Sequence, residues 1–381
     1  MKKIIVLLTI FSLLVPFTVK AEDEPNLTKK AKSAVMIEYT SGDVLYNKNA
    51  NARRSVASLV KMMGLILIFE KIDNGSLKTT EMITVSKTAK EMGGTQIWLE
   101  EGEKITVDDL LKGITMASAN DAMVLMAERV SGTEEAFVKK MNKKAKELGL
   151  KNTHFVDATG LDEESYSCAY DMALIAKELI KHEKALEYTS KYEDYIREGT
   201  DNKTWIVNTN KLTRFYPGVD GLKTGYNDKA GSTLAVTAKK DGLRLVAVSL
   251  GYDNTNTRND EMMKLLDYGY NQYESKMLFE KGKRIKTVKI DKAEEKVNLI
   301  PKEDITIINK KGENKKNYTY EIKLNDINLP LKKGNNVGKL ILKNDGKTIS
   351  ETDLITDKDV KKASILKSYL DVIESALSGS I

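Results

Sequence analysis

Ala57-Ser58-Leu59-Val60-Lys61-Met62-Met63 sets a serine and a lysine three residues apart at the head of an apolar run that continues through Leu65, Ile66, Ile68 and Phe69. Apolar residues on nearly every side predict a buried helix from Leu59 to Lys71. A separation of just under one turn puts Ser58 and Lys61 on one face, with Ser58 at the helix start, where free N–H groups and the positive end of the dipole lie. A lysine with the ordinary pKa of about 10.4 stays protonated at neutral pH. Burial favours the neutral amine, which can take a proton from the neighbouring hydroxyl.

Two further strings occur once each: Ser118-Ala119-Asn120 and Lys223-Thr224-Gly225. An S-x-x-K arises easily in a lysine-rich chain, and Ser364-Ile365-Leu366-Lys367 is a second copy with no partner strings after it. The ordered triplet S-x-x-K, S-x-N, K-T-G is harder to reach by coincidence. It supplies a nucleophile, a base, a hydroxyl/amide pair and a cationic strand, the parts needed for acyl transfer. Lys223 adds a second cation that favours a neutral Lys61. Thr115 to Ala122 reads as a tight connection between helices, within a helical stretch from Val107 to Ser131. Taken alone, it is an N-cap serine followed by a turn asparagine. Lys223, Thr224 and Gly225 precede Tyr226 on a sequence that reads as an edge strand. An extended peptide can pair with such an edge, Gly225 lets its backbone approach, and Lys223 with Thr224 can hold a carboxylate. The backbone N–H groups of Ser58 and Tyr226 are the candidate oxyanion hole.

With the neighbouring blocks Asn120-Asp121-Ala122, Lys151-Asn152-Thr153-His154-Phe155 and Pro217-Gly218-Val219-Asp220-Gly221-Leu222, the chain resembles the low-molecular-mass penicillin-binding proteins that act as serine D-alanyl-D-alanine carboxypeptidases, peptidase family S11. The resemblance covers roughly residues 30 to 275 and, more loosely, the remainder. It implies an α/β (α+β) transpeptidase domain of the penicillin-binding/β-lactamase type, an antiparallel sheet packed by helices. The implied activity is removal of the terminal D-alanine from peptidoglycan pentapeptide stems, with β-lactams as covalent inhibitors. By the same resemblance Ser118 relays a proton to the leaving amine, Asn120 binds substrate backbone and orients Lys61, and Arg258 is a candidate for the substrate carboxylate. Two positions depart from the family pattern: Tyr226 stands where many members carry histidine or serine, and Cys168 where threonine is usual before Ala169.

A class A β-lactamase shares the motif order, but its E-x-x-L-N string is missing between Asn120 and Lys223, which predicts a long-lived acyl-enzyme with penicillin. DD-endopeptidase chemistry cannot be separated from carboxypeptidase by motif. A silent wall-binding scaffold would have no chemical need of all five of Ser58, Lys61, Ser118, Asn120 and Lys223.

Lys2 and Lys3 precede an apolar run from Ile4 to Val19, and Val19-Lys20-Ala21 offers a small-x-small site, so residues 1–21 read as a signal peptide of an exported, extracytoplasmic protein of the cell wall or outer face of the membrane. Losing Lys2, Lys3 and Lys20 lowers the formal charge from +6 to +3, which gives no case for nucleic acid. Cys168 is the sole cysteine, so no internal disulfide can form, and His154 and His182 lack metal-ligand spacing; neither metal nor cofactor is expected.

The composition shifts near residue 275. Residues 22–275 form the expected catalytic domain, and alternating runs such as Tyr318, Tyr320, Ile322 and Leu324 mark 276–356 as a small all-β domain. From 357 to 381 apolar residues recur at helical spacing, opposite Lys367, Asp371 and Glu374. That segment is expected to be an amphipathic helix lying on a membrane surface, with docking on its own protein as the alternative.

Overall fold

The computed structural model describes residues 25–313 and 317–364. Its first sheet has five antiparallel strands in the spatial order Val44–Lys48, Ser33–Glu38, Leu243–Tyr252, Gly231–Lys240 and Val219–Asn227. Side-chain alternation divides its residues between two cores. Val35, Ile37, Ala235, Val246 and Val248 face a large cluster built by the helices Lys61–Asp73, Asn120–Ser131, Glu134–Glu147 and Ala169–Ile180. Ala34, Met36, Leu234, Val236 and Ala247 face the helix Thr255–Gln272 through its Met262, Leu265 and Leu266. The sheet is thus sandwiched between helices, and its strand Val219–Asn227 is left as an edge.

The helix Lys61–Asp73 is buried at every position from Lys61 to Phe69, as its all-round apolar sequence requires. Full burial of such side chains contributes about 1.5–3 kcal/mol each. The expected regular start at Ser58 is instead a 3₁₀ turn, Ala57–Val60, with Ala57 at φ 47°. The expected helix from Val107 to Ser131 is broken. An α-helical segment Val107–Lys112 widens into a π turn, Gly113–Ala117, and Ser118 ends it in the left-handed region at φ 68°. Ala119 then leads into the Asn120–Ser131 helix; Ser118 makes no side-chain cap.

The second unit is all β. Five antiparallel strands run in the order Lys286–Val288, Val297–Pro301, Lys347–Thr356, Asn336–Asn344 and Tyr318–Leu324, beside a pair formed by Tyr273–Phe279 and Ile305–Lys310. Val297, Leu299, Val337, Leu340 and Leu354 form its core. The Thr255–Gln272 helix runs directly into strand Tyr273–Phe279, and the Lys311 N–H donates to the Gln272 carbonyl. Residues 357–364 are not helical: Val360 is buried and bridges Leu331, and Lys362 bridges Ala293. A terminal helix can therefore begin only after Ser364; residues 365–381, like the leader 1–21, lie outside the described residues. Among the described residues no helix is long and apolar enough to cross a membrane.

Candidate active site

The edge strand and the 3₁₀ turn meet through a glycine. A Cβ on Gly225 would lie 3.0 Å from both Ser58 N and Val56 O and 2.7 Å from Thr233 Oγ1. Gly225 was expected to admit a ligand backbone; the backbone it admits is that of Ser58. Gly160 does the same from the other side, at φ 79° and with its Cβ position 2.0 Å from the Ala57 carbonyl oxygen. Ser58 is clamped between two glycine backbones, which keeps its hydroxyl pointing into the cleft.

Lys61 is fully buried, with Nζ 3.0 Å from Ser58 Oγ and donating to the Thr159 carbonyl at 2.7 Å. Burial pulls its pKa down from 10.5 to about 7, although the carboxylates of Asp157 and Asp121 pull it part of the way back. Asp157 also builds the loop that presents Thr159: its Oδ2 accepts from Thr159 Oγ1 at 2.6 Å, Gly160 N at 2.8 Å and Leu161 N at 2.9 Å. Lys223 is buried beside this centre, and its pKa is held well below the ordinary value by burial first and then by the charges of Lys61 and Arg258. Burial favours the neutral amine on both lysines, and their mutual repulsion disfavours charging them together.

A cleft of about 270 Å³ opens over Ser58, lined by Thr95, Ser118, Thr209, Thr224, Gly225, Tyr226, Ser232, Thr255 and Arg258. Most of this lining is hydroxyl. Thr224 Oγ1 donates to Thr209 Oγ1 at 2.7 Å. Arg258, only 3% exposed, donates to Ser232 Oγ at 2.9 Å and to the Thr233 carbonyl at 3.0 Å, so it belongs to the cleft and not to a solvated loop. Tyr226 sits at the rim, largely exposed. Asn120 is buried next to the cleft-lining Thr95, whose carbonyl accepts its main-chain N–H at 2.7 Å; its side-chain amide donates to the Gly93 carbonyl at 2.8 Å, and Lys61 is held by Thr159. The expected orienting of Lys61 by Asn120 is therefore carried in this structure by a main-chain carbonyl. A larger depression of about 450 Å³ lies on the β unit beside Lys289 and Lys362, without a serine or threonine in its lining.

Residues 18–254 match the family model described as D-alanyl-D-alanine carboxypeptidase, peptidase S11. This chain belongs to that family. Residues 273–362 match the C-terminal domain of penicillin-binding protein 5, so the fold is that of an S11 transpeptidase domain followed by an all-β domain. D-alanyl-D-alanine carboxypeptidase DacF of Bacillus subtilis strain 168 is 49% identical over 343 residues, 89% of this chain and 88% of its own. The crystal structure of penicillin-binding protein 5 from Haemophilus influenzae aligns with a TM-score of 0.68 at 32% identity, covering 87% of this chain and 98% of that one. Penicillin-binding protein D2 of Listeria monocytogenes, solved in its ampicillin-bound form, aligns at a TM-score of 0.59 and 32% identity over 65% of this chain and all (100%) of that one.

Against this S11 background the cysteine has a structural use. Cys168 Sγ accepts from Asp171 N at 3.3 Å as the N-cap of the Ala169–Ile180 helix, the place a threonine hydroxyl fills equally well. Burial raises its thiol pKa to about 11, which leaves it unreactive. Sequence reasoning missed Thr95, Thr209, Ser232 and Thr255, and it missed the Thr159 carbonyl, because a main-chain oxygen leaves no side-chain signature.

Proposed function

We propose that this serine D-alanyl-D-alanine carboxypeptidase removes the last D-alanine of pentapeptide stems through an acyl-enzyme on Ser58, with Lys61 as general base. The observation that carries this is Lys61 Nζ at 3.0 Å from Ser58 Oγ inside a buried site that brings its pKa to about 7. A neutral amine held by one N–H on the Thr159 carbonyl keeps its lone pair for the Ser58 proton. Ser58 Oγ then bonds to the penultimate carbonyl carbon, whose oxygen is received by the N–H groups of Ser58 and Tyr226. Ser118, in its left-handed turn at the cleft wall, passes the proton to the departing amine. Lys223, Thr224 and Arg258 hold the terminal carboxylate, and Asn120 the stem backbone. Water then takes the acyl group from Ser58, and Lys61 returns as base.

Acting on wall stems requires export, and the leader-like residues 1–21 support an extracytoplasmic place at the wall or outer membrane face. Penicillins are expected to acylate Ser58 and to leave slowly. Mass spectrometry of muropeptides after incubation with the enzyme should show tetrapeptide stems and free D-alanine. Amidating the terminal carboxylate should lower kcat/KM sharply, and Ser58→Ala should lose fluorescent-penicillin labelling while keeping its fold. Indifference to amidation would point to endopeptidase chemistry, and label on another serine would remove Ser58 from its role.

A further inference from the structure

The chain has only two tryptophans, and both are exposed, Trp98 by 73% and Trp205 by 57%. Single exposed aromatics are ordinary, but several grouped on one surface mark a binding site. Trp205 pairs across a hairpin with Tyr195, which is 42% exposed and has the Lys203 ammonium over one side of its ring at 4.1 Å, so the two rings share the hairpin's outer face while Ile196 and Ile206 face inward.

Trp98 is held at φ 58°, in the left-handed region that a bulky residue enters only when its surroundings impose it. Those surroundings are visible. The fully buried Asp121 carboxylate accepts from Ile97 N at 3.1 Å and Leu99 N at 3.1 Å, on either side of Trp98. Arg197, from the end of the Tyr195 strand, donates to the carbonyls of Ile97 at 3.1 Å and Trp98 at 3.2 Å. The same guanidinium pairs with Glu103. The loop with Trp98 and the hairpin with Trp205 are therefore fastened to each other, and through Asp121 to the start of the Asn120–Ser131 helix, two residues from the cleft-lining Ser118.

Both tryptophans are also close to the cleft along the chain. Trp98 is three residues from Thr95 and Trp205 four from Thr209, both cleft-lining, so each lies within about 11–14 Å of them. The four stem residues before the scissile bond, fully extended, span at most about 14 Å. A ligand whose scissile carbonyl sits at Ser58 is thus long enough for its other end to leave the cleft and meet these rings if it runs out past Thr95 and Thr209. What the stem is attached to is carbohydrate.

We propose that Trp98, Tyr195 and Trp205 form a shelf that stacks on the hexose rings of the glycan carrying the stem peptide, so that the enzyme prefers glycan-linked over free stems. This rests on the carboxypeptidase reading, because the glycan is the remote part of that substrate. The flat apolar C–H faces of pyranose rings suit rigid aromatic faces that lose little entropy on contact.

Because the chain's only tryptophans are in the shelf, its tryptophan emission, excited at the red edge where the sixteen tyrosines do not absorb, reports on the shelf alone. Titrating the enzyme with glycan strands stripped of their peptides should give a saturable shift of that emission. Trp98→Ala and Trp205→Ala should each lower kcat/KM on glycan-linked pentapeptide roughly ten-fold and leave free pentapeptide unchanged. The Phe variants, which keep a ring, should retain most of the preference. No saturable shift, or equal losses on the linked and free substrates, would overturn the shelf. If the wild-type enzyme cleaved neither substrate, the carboxypeptidase reading would fall, and the fluorescence titration would still decide for or against the shelf.

Discussion

Acylation of Ser58 should rise with pH along a limb centred near 7, because only the neutral form of Lys61 can accept the serine proton. With an ordinary pKa of about 10.4, roughly one lysine in 2,500 would be neutral at pH 7; at about 7 half are, a gain of about 10³ in competent base. At pH 6 the neutral share drops to about a tenth, so the acylation rate constant should fall roughly ten-fold below its plateau. Asp157 supplies a sharper test. Its negative charge raises the Lys61 pKa, so Asp157→Asn should move the limb to lower pH, while the amide oxygen still accepts the N–H groups of Gly160 and Leu161. Stopped-flow acylation by a fluorescent penicillin between pH 5 and 9 reads both effects. A limb that stays in place or moves upward in Asp157→Asn would refute the electrostatic account, and a rate that falls through pH 7 as pH rises would refute Lys61 as base.

Gly225→Ala should lower acylation by about ten-fold or more without unfolding the chain, since its Cβ would press on Ser58 N and Val56 O; the fluorescent-penicillin rate and a melting curve check it. Lys61→Met should abolish acylation yet stabilise the fold. A folded-state pKa about 3.5 below the unfolded value disfavours the folded protonated state, by about 5 kcal/mol below pH 7 and progressively less toward pH 10.5, so the gain in Tm should be larger at pH 6 than at pH 9, and an equal gain at both would be evidence against it. Truncation after Ser364 should release the protein from liposomes while preserving penicillin binding and Tm, if the C-terminal segment is an interfacial anchor. A cut after Asp357 would instead remove Val360 from the β core and lower Tm.

The central helix was legible because Leu65, Ile66, Ile68 and Phe69 leave no polar face to mistake for a surface, whereas the unbroken apolar run of Ser33–Glu38 does not show that Val35/Ile37 and Ala34/Met36 serve two different cores. The break at Ser118 was legible only as a turn between helices: Gly113 opens the π turn, but the left-handed position that ends it is taken by a serine and not by a glycine. Ser58 and Lys61 could be paired by spacing alone, whereas Asp157, Thr159 and Gly160 reach them from about a hundred positions away through loop geometry. Arg258 rested in sequence on the resemblance alone, and a solvated loop arginine would have read the same; its burial against Ser232 depends on the fold that brings the Thr255–Gln272 helix to that strand.

Ser58, Thr95, Ser118, Thr209, Thr224, Ser232 and Thr255 make the cleft wall almost entirely of rotatable O–H groups. Each can turn to give or receive a hydrogen bond, so the wall registers where a guest's oxygens fall and is indifferent to the skeleton that joins them. A linear dipeptide end and a strained bicyclic amide with the same oxygen spacing would look alike to it. Discrimination between stem peptide and poison would then have to come after entry, from how fast water reaches the ester, and resistance by reshaping this wall would blunt recognition of both.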